Sequence, residues 1–292
     1  MASDVKISGK TGVLCVIGDP IEHTMSPAMH NAAIKELGLD LVYVAYHITP
    51  DMLEKAVNGF RALKIQGINV TIPHKIKIMQ YLDEIDEVAR GIGAINTIKN
   101  VDGRLVARNT DADGALMAIQ EAGMDLEGKT AFMLGAGGAA RAVGFAIARK
   151  IKKLTISTIE PDFHMATTLA GEIRAFSPEN DIKDVLLNDE ILGASLPESD
   201  VVINATPVGM YPKVDASLVQ DDWLKEGCCV FDLVYNPLET KLLKQAKAKN
   251  CKIVHGLDML VNQGALAFEW WTGAKPPRDV MKVSAIKSLD IK

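Results

Sequence analysis

The sequence lacks the features that mark several common protein classes. Its four cysteines form no C-x-x-C pair, which argues against a structural zinc site or a disulfide framework, and we expect reduced, buried thiols. With 32 Lys and Arg against 37 Asp and Glu, the net charge is −5, and no basic stretch is dense enough to bind a nucleic-acid backbone. No Ser-His-Asp or metal-ligand constellation stands out, so neither a hydrolase nor a metalloenzyme is indicated.

The sequence also shows no apolar stretch typical of a membrane-spanning helix or a secretory signal. The longest apolar stretch, residues 131–148, contains Arg141 and four glycines, which a membrane-spanning helix tolerates poorly. The apolar run at 13–17 is short and ends at Gly18, so the N-terminus lacks a secretory layout. We therefore expect a cytoplasmic protein with neither a membrane nor a nucleic acid as partner.

The sequence does contain two series of alternating β-rich and helical patterns. Its 292 residues, 48% hydrophobic, have the composition of a globular protein of about two domains. The first series predicts strands at 13–17, 41–48, 67–72 and 94–98, a helix at 27–37 with Ser26 as its N-cap, and a second helix that opens at 49–51. The second series predicts strands at 130–134, 154–159, 201–205, 230–234 and 252–254.

These patterns predict an α/β fold of two domains. Residues 1–110 would form a substrate-binding domain with a mainly parallel sheet, completed by C-terminal helices at 264–292. Residues 111–263 would form a Rossmann-like dinucleotide-binding domain. The C-terminal segment contains Phe268, Trp270 and Trp271, which is too apolar for a solvated tail, and we expect it to pack on the first domain.

A glycine-rich turn points to the dinucleotide. The strand at 130–134 runs into a segment that fits G-x-G-x-x-G/A and precedes a helical pattern. In such a turn the backbone amides approach a pyrophosphate at the helix N-terminus. The candidate cofactor residues are Gly135, Ala136, Gly137, Gly138 and Ala139. Glu160, at the end of the next strand, lies where an acid binds the ribose 2′-hydroxyl, which favours NAD over NADP.

Polar side chains follow the strands of the first half. Thr24 and Ser26 place two hydroxyls at a helix start, which suits a carboxylate, although Ser26 could be an N-cap alone. Lys75 falls in the first turn of a helix that Pro73 begins, where the dipole disfavours its charge. A structural lysine gains nothing from this position, whereas one that exchanges a proton does, and both interpretations stay open. Asp111 belongs to a stretch resembling a calcium loop, but position twelve is Gln120 rather than Glu, so Asp111 is a turn residue or a functional carboxylate.

Taken together, eight motifs in order along nearly the whole chain resemble the shikimate dehydrogenase family, including its quinate/shikimate branch. They are Gly18-Asp19-Pro20-Ile21 with His23-Thr24-Met25-Ser26-Pro27, residues 69–75, 93–97 and 109–111, the glycine turn, residues 204–210, 232–237 and 256–263.

The resemblance implies reversible, NAD(P)-dependent reduction of 3-dehydroshikimate to shikimate, a step of the shikimate pathway of aromatic amino acid biosynthesis. It implies that the cofactor domain closes against the substrate domain. It also implies a role for each candidate residue. The catalytic pair would be Lys75 and Asp111. The ring hydroxyls would be bound by Thr71, Asn96, Asp111 and Gln263, and the carboxylate by Thr24, Ser26 and Tyr235. The nicotinamide side of the site would be lined by Thr206, within 204–210, and by Gly256.

Two departures from the family pattern bear on specificity. Thr24 stands where the family usually has Ser, which leaves shikimate and quinate both open. Thr158-Ile159-Glu160 stands where NADP-dependent members usually carry Asn-Arg-Thr, which favours NAD or dual use. The alternatives are a quinate-preferring NAD-dependent dehydrogenase, a folate-linked dehydrogenase, and a non-catalytic dinucleotide-sensing regulator. A monomer and a homodimer both remain open.

Overall fold

The computed structural model describes residues 7–289, which fall into two compact units. The first comprises the chain up to Thr110 and from Val261 onward, and the second comprises Asp111–Leu260. Residues 1–6, part of the region predicted to lack a secretory layout, and 290–292, the end of the predicted C-terminal segment, lie outside the described residues. Across 7–289 no helix has the length and apolarity needed to span a membrane.

The first unit is built on a six-stranded, mainly parallel sheet, as predicted. Its strands are β1 (Gly12–Gly18), β2 (Leu41–His47), β3 (Gly67–Val70), β4 (Glu84–Ile85), β5 (Thr97–Val101) and β6 (Arg104–Arg108). In space they run β2-β1-β3-β5-β6-β4. Strand β1 is parallel to β2 and β3, and β4 is parallel to β6, whereas β5 is antiparallel to both neighbours. The apolar run of β1 is buried because it lies inside the sheet between two partners.

Four helices accompany this sheet: α1 (Ser26–Glu36), α2 (Leu53–Ala62), α3 (His74–Lys77) and α4 (Glu87–Ile92). The prediction of Ser26 as an N-cap is wrong. Helix α1 already includes Ser26, Met25 occupies the cap position without a side-chain bond, and the Ser26 hydroxyl is engaged by Thr24. The second helix begins later than predicted, at Leu53, because residues 49–52 form a turn closed by the Met52 amide on the Thr49 carbonyl.

The prediction of a strand at 94–98 is also wrong in its extent. Strand β5 begins at Thr97, and the backbone amide of Ile95 bonds to the carbonyl of Lys75 in α3 rather than to a strand. It then turns back into β6 through Asp102 and Gly103, both with positive φ. An Asp-Gly pair at positive φ is a favoured hairpin turn.

The second unit contains a six-stranded, fully parallel sheet, and its Rossmann-like character is confirmed. The strands are β7 (Thr130–Leu134), β8 (Lys153–Thr158), β9 (Asp181–Leu186), β10 (Val201–Asn204), β11 (Cys229–Asp232) and β12 (Lys252–His255). The helices are α5 (Thr110–Glu121), α6 (Gly138–Ala148), α7 (Phe163–Phe176), α8 (Asp189–Ser195) and α9 (Lys241–Ala248). The spatial order β9-β8-β7-β10-β11-β12 is the 3-2-1-4-5-6 order of doubly wound nucleotide-binding sheets.

Two further helices, α10 (Gly256–Thr272) and α11 (Arg278–Leu289), complete the described chain. Within the first unit, the Trp271 indole donates to the carbonyl of Ile98 at 2.9 Å, and the Ser284 hydroxyl on α11 donates to the carbonyl of Ala28 at 2.9 Å. These bonds fasten the apolar C-terminal segment to β5 and α1.

The four cysteines are free thiols. Cys15, Cys228 and Cys229 are buried, as expected. The expectation is wrong for Cys251, which is half-buried because it lies just before β12, the edge strand of its sheet.

Candidate active site

The start of α1 presents the two hydroxyls that the sequence singled out. Thr24 donates to Ser26 Oγ at 3.2 Å, and the Ser26 amide donates to Thr24 Oγ1 at 3.3 Å. Thr24 is half-buried and Ser26 is buried. Because no Met25 side-chain bond caps the helix, its first-turn amides and positive dipole end remain suited to an anion.

Asn96 and Gln263, separated by 167 positions in the sequence, meet in the interior of the first unit. Asn96 Nδ2 donates to Gln263 Oε1 at 3.4 Å. Asn96 Oδ1 accepts from the Thr110 amide at 2.7 Å and from the Thr97 hydroxyl at 2.9 Å. Because a backbone N–H can only donate, these bonds fix which end of the carboxamide is oxygen and direct its NH₂ group toward Gln263.

Two further buried residues support this cluster, and neither was among the predicted site residues. The Tyr43 hydroxyl donates to Asn69 Oδ1 at 2.7 Å, and Asn69 Nδ2 donates to the carbonyl of Asn96 at 3.2 Å. Burial raises the pKa of Tyr43 well above its ordinary value, so the phenol stays protonated and remains a donor. Ser26 has a smaller, lowering effect on this pKa, which places the hydroxyl pair near the amide cluster.

Lys75 is positioned by a turn after β3. The Thr71 amide donates to the carbonyl of Ile17 at 2.9 Å, and the Thr71 carbonyl accepts from the His74 amide at 3.0 Å. Helix α3 is a single turn with Lys75 as its second residue, and the Lys75 carbonyl accepts from the Ile95 amide at 3.0 Å. Lys75 is half-buried. Asp111, in the first turn of α5 and buried, belongs to the second unit.

A cavity of about 380 Å³ opens in the second unit at the carboxyl ends of β7, β8 and β10. This is the edge at which doubly wound sheets bind nucleotides. Four predicted cofactor residues line it: Gly135, Ala136, Gly137 and Thr206. Thr158, Ile159, Asp162, Met165, Leu187, Ala205, Pro207, Val208 and Leu218 complete the lining.

The turn that enters this cavity requires glycine at its first position. Gly135 has a φ of +98°, and a Cβ there would lie 2.9 Å from the carbonyl oxygen of Ala205. Backbone from β7 and from the end of β10 therefore approach too closely for a side chain. Gly138 and Ala139 form the exposed first turn of α6 and do not belong to the cavity lining.

The acidic residues after β8 differ in their relation to the cavity. Glu160 and Asp162 share one 3₁₀ turn and are both exposed, but Asp162 lines the cavity and Glu160 does not. The lining contains no Lys or Arg. The part of the cavity lining that follows β8 is thus acidic and apolar.

A buried hydrogen-bond network holds the loop after β10. Asn204 Nδ2 donates to Asp232 Oδ1 at 2.9 Å, and Asn204 Oδ1 accepts from the Thr206 hydroxyl at 2.7 Å. The Thr240 hydroxyl donates to the other Asp232 oxygen at 2.6 Å. Burial raises the pKa of Asp232. Asn204, itself held by Asp232, therefore orients Thr206, although neither Asn204 nor Asp232 lines the cavity.

Two more candidate site residues lie after the last two strands of this sheet, Tyr235 after β11 and Gly256 after β12. Gly256 begins α10, and a Cβ there would lie 2.3 Å from the carbonyl oxygen of Leu233, so this contact also requires glycine. Tyr235, just after β11, is half-buried, and burial raises its pKa, so its hydroxyl is a donor at neutral pH. Neither residue belongs to the cavity lining. The described residues contain no cluster of three or more His, Cys, Asp or Glu side chains arranged for a metal ion.

Two family models match the chain. The model described as the shikimate dehydrogenase substrate binding domain matches residues 16–98, and the one described as the shikimate 5′-dehydrogenase C-terminal domain matches residues 256–282. Together they include Thr24, Ser26, Lys75 and Asn96 from the first match and Gln263 from the second.

Full-length relatives extend the similarity over the whole chain. The shikimate dehydrogenase (NADP⁺) of Methanocaldococcus jannaschii is 47% identical, with 97% of this chain and 99% of that protein covered. The shikimate 5-dehydrogenase of Listeria monocytogenes, solved with shikimate and NAD, is 38% identical with a TM-score of 0.90, covering 95% and 97%. Quinate dehydrogenase of Corynebacterium glutamicum, solved with NAD, is 28% identical with a TM-score of 0.87, covering 95% and 99%.

Proposed function

This chain belongs to the shikimate dehydrogenase family, and we propose that it catalyses the reversible reduction of 3-dehydroshikimate to shikimate with NAD or NADP as the hydride carrier. It is accordingly an oxidoreductase acting on a CH–OH group. The observation that carries the proposal is the contact of Asn96 with Gln263, since it brings together two side-chain amides from distant parts of the chain in the interior of the first unit. Such convergent, buried polar groups suit a small polyhydroxylated ligand.

The substrate is held through its carboxylate and its ring hydroxyls. Thr24 and Ser26 donate their hydroxyls to the carboxylate, assisted by the amides at the start of α1, and Tyr235 adds a third hydroxyl. Thr71, Asn96, Asp111 and Gln263 bind the ring hydroxyls. The buried bonds to Asn96 support this assignment, because a pre-oriented amide loses little entropy on binding.

Lys75 and Asp111 handle the proton. When bound, the nicotinamide ring supplies or accepts the hydride. As the substrate ketone is reduced, negative charge develops on its oxygen, and the Lys75 ammonium stabilises that charge while it delivers its proton. Asp111 orients the ammonium for this transfer. Residues 1–110 with 264–292 act as the substrate domain, and 111–263 as the cofactor domain.

NAD is the preferred carrier. The cavity after β8 offers the carboxylate of Asp162 and the apolar Ile159, and no cation lines it. A ribose 2′-hydroxyl can donate to a carboxylate, whereas a 2′-phosphate needs a basic partner and is repelled by a carboxylate. Either Glu160, as its place after the strand suggests, or Asp162, as the cavity suggests, accepts that bond. This preference would set the chain apart from its M. jannaschii relative, which is named for NADP⁺.

Quinate is a second candidate substrate, favoured by Thr24. The extra methyl group of Thr24 stands beside the hydroxyl that Ser26 engages and so reshapes the carboxylate pocket. The net charge of −5 and the lack of a dense basic stretch support small molecules, rather than nucleic acid or a membrane, as the ligands of a cytoplasmic enzyme.

One steady-state experiment tests substrate and carrier together. Nicotinamide absorbance is followed with shikimate and with quinate, each against NAD and NADP. Among the four pairs of acid and dinucleotide, we expect the highest kcat/KM for shikimate with NAD. Dinucleotide binding without turnover on either acid would favour a dinucleotide-sensing regulator, and faster turnover of quinate would favour the quinate dehydrogenase alternative.

A further inference from the structure

Two cysteines lie side by side at the amino ends of adjacent strands in the second unit. Cys228 immediately precedes β11, Cys251 immediately precedes β12, and their Sγ atoms are 3.4 Å apart. In the parallel pairing of these strands, Cys229 lies opposite Lys252, so the two cysteines occupy the next opposed positions. The Lys252 amide donates to the Cys228 carbonyl at 2.8 Å, which keeps the backbones together at this point.

The pairing of these two strands suits the backbone geometry of a disulfide. Neighbouring strands lie about 4.8 Å apart, and a disulfide needs a Cα separation of about 4.4–6.8 Å. Bond formation would bring the sulfur atoms from 3.4 Å to about 2.0 Å. Side-chain rotation can supply that movement, so the backbone does not have to be rebuilt.

The two thiols differ in exposure and in pKa. This difference suits one to attack an oxidant and the other to form a disulfide with it afterwards. Cys251 is half-buried, and a hydrogen bond from Cys228, helped by the backbone amides of Cys228 and Gly227, lowers its pKa. Cys228 is buried, and the bond to Cys251 together with burial raises its pKa. A lowered pKa and access to solvent are what make a cysteine reactive toward oxidants.

The other two cysteines lack these properties. Cys15 and Cys229 are fully buried. Burial raises the pKa of both thiols, that of Cys229 to about 12. Neither thiol is therefore expected to ionise or to meet an oxidant in the folded protein.

We propose that Cys228 and Cys251 form a reversible dithiol site that reacts with a peroxide. The Cys251 thiolate attacks one peroxide oxygen, the O–O bond breaks, and the departing oxygen leaves as water after taking a proton, so that Cys251 becomes a sulfenic acid. Cys228 then attacks that sulfur, forms the S–S bond and expels the hydroxyl group with the Cys228 proton as a second water. Two thiols are oxidised by two electrons, and the peroxide is reduced to two waters. A small dithiol reverses the reaction by exchange.

The disulfide would fasten the edge strand of the sheet. Among the strands of residues 7–289, β12 pairs with β11 alone, and the bridge would join the two at their amino ends. The cavity lies at the carboxyl ends of the strands, away from the bridge. Oxidation is therefore expected to raise thermal stability without abolishing dinucleotide binding. This inference does not depend on the proposed function.

The test uses the reduced full-length chain. The protein is exposed to a small excess of hydrogen peroxide, its remaining thiols are alkylated in denaturant, and its peptides are mapped by mass before and after treatment with dithiothreitol. The expected result is a linked Cys228–Cys251 peptide that dithiothreitol removes, with Cys15 and Cys229 alkylated throughout. Oxidation of Cys251 to sulfinic acid without a linked peptide, or four cysteines that remain alkylatable, would overturn the proposal.

Two variants sharpen the result. Cys251→Ser is expected to form no link, and Cys15→Ser, a matched change at a buried thiol, is expected to form it as the parent chain does. Because mapping of the parent chain is decisive by itself, misfolding of a variant leaves the test intact. In a thermal scan the oxidised parent should unfold at a higher temperature than the reduced parent; equal midpoints would contradict the fastening of β12.

Discussion

The Tyr43 hydroxyl donates to Asn69 Oδ1 over 2.7 Å, and both side chains are buried in the first unit. Asn69 Nδ2 in turn donates to the carbonyl of Asn96. These bonds form one buried framework that supports Asn96, a residue proposed to hold a ring hydroxyl. Tyr43 is a positioning residue, since it acts through Asn69.

Tyr43→Phe tests this framework by removing one oxygen. The change leaves Asn69 Oδ1 without its donor, and we expect the free energy of unfolding to fall by about 1–3 kcal/mol. We also expect the KM for shikimate to rise more than kcat falls, because loosely held side chains weaken substrate binding. Urea unfolding and steady-state kinetics measure the two effects.

Tyr46→Phe is the matched control, since Tyr46 lies on the same strand and is 41% exposed. It should leave both quantities unchanged. A Tyr43→Phe enzyme that is less stable but has the parent KM would show that Tyr43 has a structural role only.

Asp162→Asn tests the proposed preference for NAD. Asp162 lines the cavity, and neutralising it removes the carboxylate that would bind the 2′-hydroxyl and repel a 2′-phosphate. Hydrogen bonds to charged groups contribute about 1.5–3 kcal/mol, so the NAD-to-NADP ratio of kcat/KM should fall by about tenfold or more.

Glu160→Gln separates the two candidate acids. The residues belong to the same turn, and both changes remove one charge. A shift in Glu160→Gln with none in Asp162→Asn would assign the ribose to Glu160, as its place in the sequence suggested. Comparable or better efficiency of the parent with NADP than with NAD would refute the preference itself.

His30 gives the first unit an acid-sensitive core. Its ring is fully buried and stacks on Tyr43 with 4.2 Å between centroids, and neither ring nitrogen has a hydrogen-bond partner among residues 7–289. Burial lowers the pKa of His30 from 6.5 to about 3. Between these values the unfolded chain binds a proton that the folded chain does not, so stability is lost as the pH falls from 6.5 toward 3.

His30→Leu should remove that part of the pH dependence. The slope of unfolding free energy against pH should become shallower by about 1.4 kcal/mol per pH unit below 6.5, the effect of a single proton. His164→Gln, a change at an exposed histidine of α7, is the control. Parallel slopes for the parent and His30→Leu would show that His30 is protonated in the folded state.

Local features of the fold were predictable from the sequence. Strand β7 was predicted with its observed bounds, because an apolar run and the glycine turn at Gly135 delimit it. The hairpin of β5 and β6 was missed although Asp102-Gly103 carries its signal, since an apolar run at 94–98 suggested a parallel strand instead.

Relations between distant residues were not predictable from spacing. The N-cap prediction for Ser26 was wrong because the helix begins one residue earlier, with Met25 at the cap position, and the Ser26 hydroxyl bonds with Thr24. The pairing of Asn96 with Gln263 spans 167 positions, and the cysteine pair spans 23 without any motif. Only the resemblance pointed to the first, and only the three-dimensional structure revealed the second.

The proton-transfer role of Lys75 is the central claim, and Lys75→Ala removes its ammonium. General acid–base catalysis contributes about 10²- to 10⁴-fold, so shikimate oxidation should slow by that factor. Dinucleotide binding, which we propose for the cavity of the second unit, should survive. Lys77→Ala, at the exposed end of the same helix, is the control and should keep the parent rate.

The most direct measurement is the rate of nicotinamide reduction with saturating shikimate for the parent and Lys75→Ala, each with its dinucleotide affinity measured on the same preparation. We expect a rate loss of about 10²-fold or more with unchanged dinucleotide affinity. A Lys75→Ala enzyme that turns over shikimate at the parent rate would contradict it.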